Sequence, residues 1–435
     1  MAIIPQKSIF DWDELEALGD LDRLRLVIEY IPDEELMQEL EKERGHGRDD
    51  YPVRAMWNAI LAGVVFQHPS EASLRRELRR NGQLRQLCGF RPNKVPPAWV
   101  FSRFLKKLLA KEQEIEVMFN KVVREIKEIL PEFGKNLAID GKAIESHANP
   151  KKKDEKTKSE DGRRDLDADF GKKVYRGKNE DGTLWEKVKS WFGYKLHLIV
   201  DAEYELPVAF EVTKASRPEE PQAHALLTKL NKDHPEILES CEHLMGDKGL
   251  DDGKLIARLW DEFEIKPVID IRQMWQDGEE TRIVTGKSNI VYDSRGVVYC
   301  HCPVTNKRRV MAYGGFEVDR KALKYRCPAW HYGIKCKGLD SCLVQKSSRI
   351  SLEEDRRIFT PLARSSYKWV QLYKKRTSVE RVNSRLDVSF GFENHYIRGQ
   401  KKMKLCMGLS LCVMLAMALG HTKENRPDKV RSLIA

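Results

Sequence analysis

The sequence lacks an apolar run long enough to span a bilayer. Its longest, LCMGLSLCVMLAMALG at 405–420, falls short of the ~20 residues a transmembrane helix needs. It is expected to be a core helix, with no membrane partner. The first residues, MAIIPQKSIFDWDELEAL, lack the basic-then-apolar order of a signal peptide. A cytoplasmic protein is expected, in a compartment that keeps thiols reduced. The nine cysteines therefore read as thiols or metal ligands, not disulfides. Acid is also in deficit. There are 67 Asp and Glu against 77 Lys and Arg, a net charge of +10. That sign suits a polyanionic partner, most simply DNA. A basic protein without such a partner is the plainer alternative. With 435 residues, 41% of them hydrophobic, the chain can build several domains and a large core.

Residues 1–130 read as a helical domain. DLDRLRLVIEYIPDEELMQELEKE carries apolar residues at three- and four-residue spacing, the period of a helix packed on one face. In SEASLRRELRRNGQLRQLCGF, Ser70 is placed to cap a helix. Leu74 and Leu78 share one face of it, and Arg75, Arg76, Arg79 and Arg80 crowd the other. Another helix is expected from about Trp99 to Leu109. Short helices with an arginine face fit a helix-turn-helix-like DNA reader; a solvated basic face is the plainer account.

From residue 136 the pattern becomes strands. NLAIDGKAI is the first. A lysine-rich stretch from 149 to 173, NPKKKDEKTKSEDGRRDLDADFGKK, is too charged to pack and reads as a loop. WFGYKLHLIVDAEYELPVAFEVTKA is a hairpin turning near Asp201–Glu205. Helix, short strand, helix and strand follow to residue 271. This order predicts a mixed α/β sheet of ribonuclease H type. One helix is missing after the last strand, and it appears only at about 366–387. Residues 272–365 therefore read as a β-rich, cysteine-containing insertion. The catalytic fold is divided into 131–271 and 366–435.

This order gives meaning to three carboxylates. Asp140 is placed at the end of the first strand, Asp247 at the end of the fourth, and Glu380 on the late helix. The first and fourth strands of such a sheet are neighbours, so the two aspartates should lie side by side. Carboxylates forced together repel unless cations sit between them. An all-oxygen set suits Mg2+ or Mn2+, and two such ions can activate an attacking oxygen and stabilise a leaving one. Singly, each residue has a duller explanation. Asp before Gly is a common turn, and Arg376 with Glu380 is an ordinary helix ion pair.

AIDGK, WFGYKLH, GDKGLDD and YKKRTSVE together resemble the DDE transposases of bacterial insertion sequences. The likeness is to the branch with a Tyr-Arg-Glu signature, here Tyr373, Arg376 and Glu380. The residue after AIDG is more often Ser or Thr than Lys142, and Leu250 replaces a tyrosine. A lysine usual seven residues after the glutamate is Asp387 here; Arg381 and Arg385 are cations nearby, on other faces. The resemblance implies a nucleoid-associated enzyme. It would cut at terminal inverted repeats of a mobile element and join the ends to target DNA, with a homodimer as the active complex. Tyr373 and Arg376 would hold a DNA phosphate. A catalytically inactive element-derived DNA-binding protein, or a ribonuclease H-like nuclease outside transposition, is the alternative.

Five cysteines fall within 300–342: Cys300, Cys302, Cys327, Cys336 and Cys342. A structural Zn2+ held by Cys302, Cys327, Cys336 and Cys342 is expected, with Cys300 able to replace Cys302. The spacing matches no paired Cys-x2-Cys ribbon, and small buried residues would account for it too. Cys88, Cys241, Cys406 and Cys412 sit in apolar contexts and read as core.

Overall fold

The computed structural model describes residues 19–45, 50–92, 94–148, 164–179, 181, 183–272, 275 and 277–433. The leading segment read above, and most of the lysine-rich stretch, lie outside these residues. Helices come first: α1 (Asp22–Tyr30), α2 (Glu34–Arg44), α3 (Val53–Val65), α4 (Glu71–Arg80), α5 (Gly82–Leu87), α6 (Ala98–Leu108) and α7 (Glu112–Ile129). The α4 helix starts as expected, with the Ser70 hydroxyl accepting the Ser73 N–H at 3.3 Å. Leu74 and Leu78 are buried beneath it.

The mixed sheet follows, from β1 (Asn136–Glu145), β2 (Asp169–Lys178), β3 (Leu184–Asp201), β4 (Leu206–Lys214), α8 (Glu219–Asp233), α9 (Pro235–Ser240), β5 (His243–Gly246), α10 (Gly253–Phe263) and β6 (Lys266–Ile269). The strand order is β2-β3-β1-β5-β6, with β4 also on β3. Strand β1 lies antiparallel to β3 and parallel to β5. An antiparallel start followed by parallel strands with crossover helices is the ribonuclease H-like order expected from the sequence.

The insertion holds β7 (Thr281–Ile283), β8 (Ile290–Asp293), β9 (Val298–His301), β10 (Arg308–Val310), β11 (Ala312–Glu317), β12 (Ala322–Arg326), α11 (Pro328–Tyr332) and β13 (Ser347–Ser351). They form a four-stranded and a three-stranded antiparallel sheet. Helices α12 (Tyr367–Lys375), α13 (Thr377–Val388) and α14 (Gln400–Lys423) close the chain. The α12 helix packs on β5 and β6, and α13 on β1 and β3. One continuous apolar core runs from the first helices through the sheet to α14. The insertion has its own core around Tyr292, Tyr325 and Phe359.

Four expectations need correction. Asp140 does not end β1; the strand pairs with β3 as far as Glu145, and what stops near Asp140 is the shorter ladder to β5. Residues 169–173 are not loop. They open β2, which pairs with an extended first half of β3, because cross-strand contacts stabilise what charge alone argued against. The late helix is two helices, broken at Arg376, whose N–H bonds back three residues to Tyr373 O at 3.1 Å. The α14 helix is longer than its apolar run. It has the length and composition to cross a membrane, yet 89% of its most apolar window is buried inside the fold.

Gly193 is the pivot at which β3 passes from β1 to β2, paired with Glu145 on one side and Asp169 on the other. A Cβ there would stand 2.6 Å from the Ser146 amide nitrogen and press on the Ile144 carbonyl. Backbone on both sides cannot yield as a side chain can. Gly193→Ala should therefore cost roughly 1–3 kcal/mol by overpacking, read from denaturant unfolding. A variant as stable as the parent would contradict this packing.

Candidate active site

The β1–β5 ladder places Ile139 opposite Gly246, so Asp140 and Asp247 follow as neighbours at the same edge of the sheet. A third carboxylate joins them. Glu219, the first residue of α8, has a carboxylate oxygen within 4.8 Å of ligand oxygens of both aspartates. It starts the first helix after the antiparallel strands, where the unpaired N–H groups of a helix N-terminus favour negative charge. Lys195 fixes it from behind, 3.5 Å from a Glu219 oxygen, while donating to Arg217 O at 3.1 Å.

Two glycines make the approach possible. A Cβ on Gly141 would meet the Glu219 carboxyl at 2.9 Å, and one on Gly249 would meet Asp247 Oδ1 at 2.7 Å. Gly141 donates its N–H to Asp140 Oδ1 at 2.8 Å, and Gly249 donates to Asp247 Oδ1 at 2.7 Å. The glycine after each aspartate is thus explained by close approach and not by a turn.

The electrostatics follow from the crowding. Burial, and then repulsion from Asp247, push the Asp140 carboxyl up to about 6; Glu219 adds to this, while the Gly141 N–H and Lys173 oppose it. At such separations two ionised carboxylates repel by roughly 3 kcal/mol in a medium of effective dielectric about 20. Three oxygen donors converging on one point are the set that hard divalent cations take. Among the described residues, this is the one group of three ligand side chains whose donor atoms lie that close together.

Glu380 is not in that group. It lies on α13, half exposed, and bonds the Arg376 guanidinium at 2.8 Å. Arg376 in turn feels the Asp140 charge. Burial alone would lower the basicity of this guanidinium, but Glu380, Tyr373 and Asp140 hold it above its usual value. It sits 5.7 Å over the Tyr373 ring, and Tyr373 stacks on Trp369 with centroids 4.8 Å apart. Arg376 is thus bonded to Glu380 and within the field of Asp140, and Tyr373 within that of Asp247. Lys142 bonds Asp387, so two of the three positions that depart from the family pattern pair with each other. Arg381 and Arg385 both engage Glu205 in the β3–β4 turn, away from the acid cluster.

Other expected sites are less concentrated. Arg76, Arg79 and Arg80 are exposed on α4, but Arg80 pairs with Glu77. Arg75 is partly buried, donating to Pro96 O at 3.0 Å. In the insertion, Cys300 is pushed up to about 11 by burial and by Cys327, Cys342 and Cys336, which gather around it. Cys302 is pulled down to about 6, first by the Thr305 hydroxyl and then by backbone N–H groups, and it bonds Cys336. Among the described residues, no three of these sulfurs lie within 4.8 Å of one another. Cys88, Cys241 and Cys412 are core, and Cys406 packs against it.

Glu219 was not foreseen. Its signal was slight: an acid pair in RPEEPQAH, with no lysine or arginine three or four residues on to make it a helix ion pair.

A ribonuclease H-like sheet that brings carboxylates from neighbouring strands to one edge is the frame of enzymes that cut and join phosphodiesters. Within that class the chain belongs to the DDE transposases. The family model described as Transposase DDE domain matches residues 134–416, and a second, Transposase domain (DUF772), matches 10–107. No curated protein matches the sequence. Among solved structures, the chain is similar to the piggyBac transposase in a synaptic complex with hairpin DNA, determined by cryo-EM. The identity is 12%, over 97% of this chain and 80% of that one, with a TM-score of 0.37. At that level the likeness carries no argument, and the family models make the assignment.

The raised Asp140 carboxyl has a consequence for stability. Its proton is held more tightly in the folded chain, at about 6, than at the ordinary 3.8. Its contribution to stability is then complete below about pH 4 and is lost as pH rises through about 6. Asp140→Asn should flatten this fall when unfolding free energies near pH 4 and near pH 7 are compared with those of the parent. An equal fall in both proteins would show that Asp140 is not under this strain.

Proposed function

We propose that the chain cuts at the terminal inverted repeats of a mobile element and joins the freed ends to target DNA by two-metal phosphodiester chemistry. The observation that carries this reading is the convergence of Asp140, Asp247 and Glu219 at one sheet edge. Asp140 and Asp247 would hold the metal, Mg2+ or Mn2+. Glu219 adds negative charge from α8. Glu380 completes the set from α13, released from Arg376 when that guanidinium turns to a phosphate. A divalent cation bound there would supply Lewis-acid charge to the scissile phosphate and favour deprotonation of the attacking oxygen. Tyr373 and Arg376 hold the phosphate, which makes the chain one of the Tyr-Arg-Glu branch. Planar guanidinium suits that task better than a point charge. The exposed arginines of α4 contribute to duplex binding, two copies act together on paired ends, and the enzyme works in the cytoplasm at the nucleoid.

The insertion supports a separate reading. Cys327, Cys336 and Cys342 act on Cys300, and Cys302 bonds Cys336, in a small β-rich unit; we assign Cys302, Cys327, Cys336 and Cys342 a structural Zn2+, with Cys300 able to replace Cys302. A donor set of thiolates suits that ion and not Mg2+. Purified protein should contain about one zinc per chain, and Cys302→Ser with Cys336→Ser should lose it. Zinc-free parent protein that keeps its folded insertion would contradict the assignment.

The carboxylates can be told apart by metal dependence. Asp140→Asn, Asp247→Asn and Glu380→Gln should abolish cutting of a duplex carrying the element's end, with DNA binding retained. Glu219→Gln should instead raise the Mg2+ concentration needed and recover at high Mg2+. Arg376→Ala should slow cutting by roughly tenfold to a thousandfold, as when one charged contact to a reacting group is lost. Asp247→Asn cutting at the parent rate would overturn the site.

A further inference from the structure

Strand β3 is eighteen residues long, but β1 and β4 cover only its second half. Its first half pairs with β2 alone, through ten consecutive positions from Asp169↔Gly193 to Lys178↔Leu184. At about 3.4 Å per residue this is a two-stranded ribbon roughly 34 Å long. Its β3 strand is exposed from Leu184 to Ser190. An isolated ribbon is marginally stable in water, and nothing in the chain's core explains its length.

The ribbon's two faces differ. Residues directly opposite each other in an antiparallel pair share a face. One face therefore holds Gly171 with Trp191, Lys173 with Lys189, and Gly177 with Trp185, together with Lys187. The indoles lie across the glycines, where any Cβ would strike the Trp191 and Trp185 rings. One acid stands on this face among its described side chains, Asp169 at the root, where it accepts hydrogen bonds from the Ser216 N–H and hydroxyl. Lys173 and Lys189 are directly opposite, an arrangement that costs stability when both carry charge. No acidic partner of Lys187 or Lys189 lies among the described residues. The other acids of the ribbon lie elsewhere: Glu186 is on the other face, and Asp181 at the tip binds Thr183.

This face leads to the acid cluster. Trp191, at its root, lies under the Lys195 ammonium, 5.8 Å from the ring centroid, and Lys195 holds Glu219. Lys173 exerts its charge on Asp140. A polyanion seated at the carboxylates would therefore continue onto the lysine face.

We propose that the Lys173, Lys187, Lys189 and Trp185 face of the β2–β3 ribbon is a duplex-DNA clamp that grips phosphates beside the cutting site without reading bases. This inference rests on the transposase reading of that site. The length matches about one turn of B-DNA, and a two-stranded ribbon has the width to lie in or along a groove. Lysines are point charges suited to phosphates. Asn and Gln, which read adenine edges, and Arg, whose planar fork grips guanine bidentately, are missing from the face's described residues.

The test uses the full chain, a mixed-sequence duplex of about 40 base pairs, and fluorescence anisotropy across a salt series. Lys187→Gln with Lys189→Gln should weaken binding about tenfold or more at low salt and make the log–log salt slope shallower by about 2, since each lost phosphate contact removes roughly 0.9. Lys187→Arg with Lys189→Arg should bind as the parent does, with thermal unfolding confirming that both variants are folded. A photoreactive benzoylphenylalanine at position 185 should cross-link to the duplex. If the glutamine pair keeps parental affinity and slope, the clamp is overturned while the acid site stands. If the parent binds no duplex, the clamp and the transposase reading fall together. If the glutamine pair binds DNA normally but loses self-association, the ribbon docks a second copy and the clamp is again overturned.

Discussion

Repulsion among three carboxylates is the constraint around which this fold is arranged. Asp140, Asp247 and Glu219 come from three separate elements, and their ligand oxygens stand within 4.8 Å of one another. No sequence-local contact would hold them there. Strand β1 does so because it is fixed on both sides, antiparallel to β3 and parallel to β5. The buried apolar run Leu137, Ala138 and Ile139 anchors the strand just before the aspartate. Lys195, buried at the ribbon root, brings α8 to the same edge. The core thus supplies the free energy that the crowded charges oppose.

The neighbouring features are adjustments to that charge. Glycines at 141 and 249 remove the side chains that would separate the carboxylates. Arg376 stands where the late helix breaks, bonded to Glu380 and within the field of Asp140. An arginine so placed can exchange one anionic partner for another at low cost, which suits a site where phosphate arrives and departs. The Lys142–Asp387 pair spans β1 and α13 and ties the late helix to the strand that carries Asp140.

Much of this was legible in the sequence, for identifiable reasons. Strand and helix periods gave the alternation of α8, β5, α10 and β6, because their apolar faces are short and clean. Asp140 and Asp247 were legible because each follows a buried run and has a glycine close behind it, Gly141 and Gly249. Strand β2 was not. Its lysines argued for loop, and its stability comes from cross-strand pairing with β3, which local composition does not report. The break at Arg376 was hidden because both flanking segments keep helical spacing. Glu219 was hidden for the same kind of reason: its meaning lies in the approach of α8 to β1 and β5, a tertiary fact.

The central claim is that the carboxylate edge is a divalent-cation site serving DNA cutting. Anomalous scattering from a crystal grown with Mn2+ tests it directly, since the metal's position is read without reference to activity. The account predicts a peak at ligand distance from both Asp140 and Asp247, with Glu219 or Glu380 closing the set. Manganese bound elsewhere, with this edge empty and the two aspartates ordered, would contradict it.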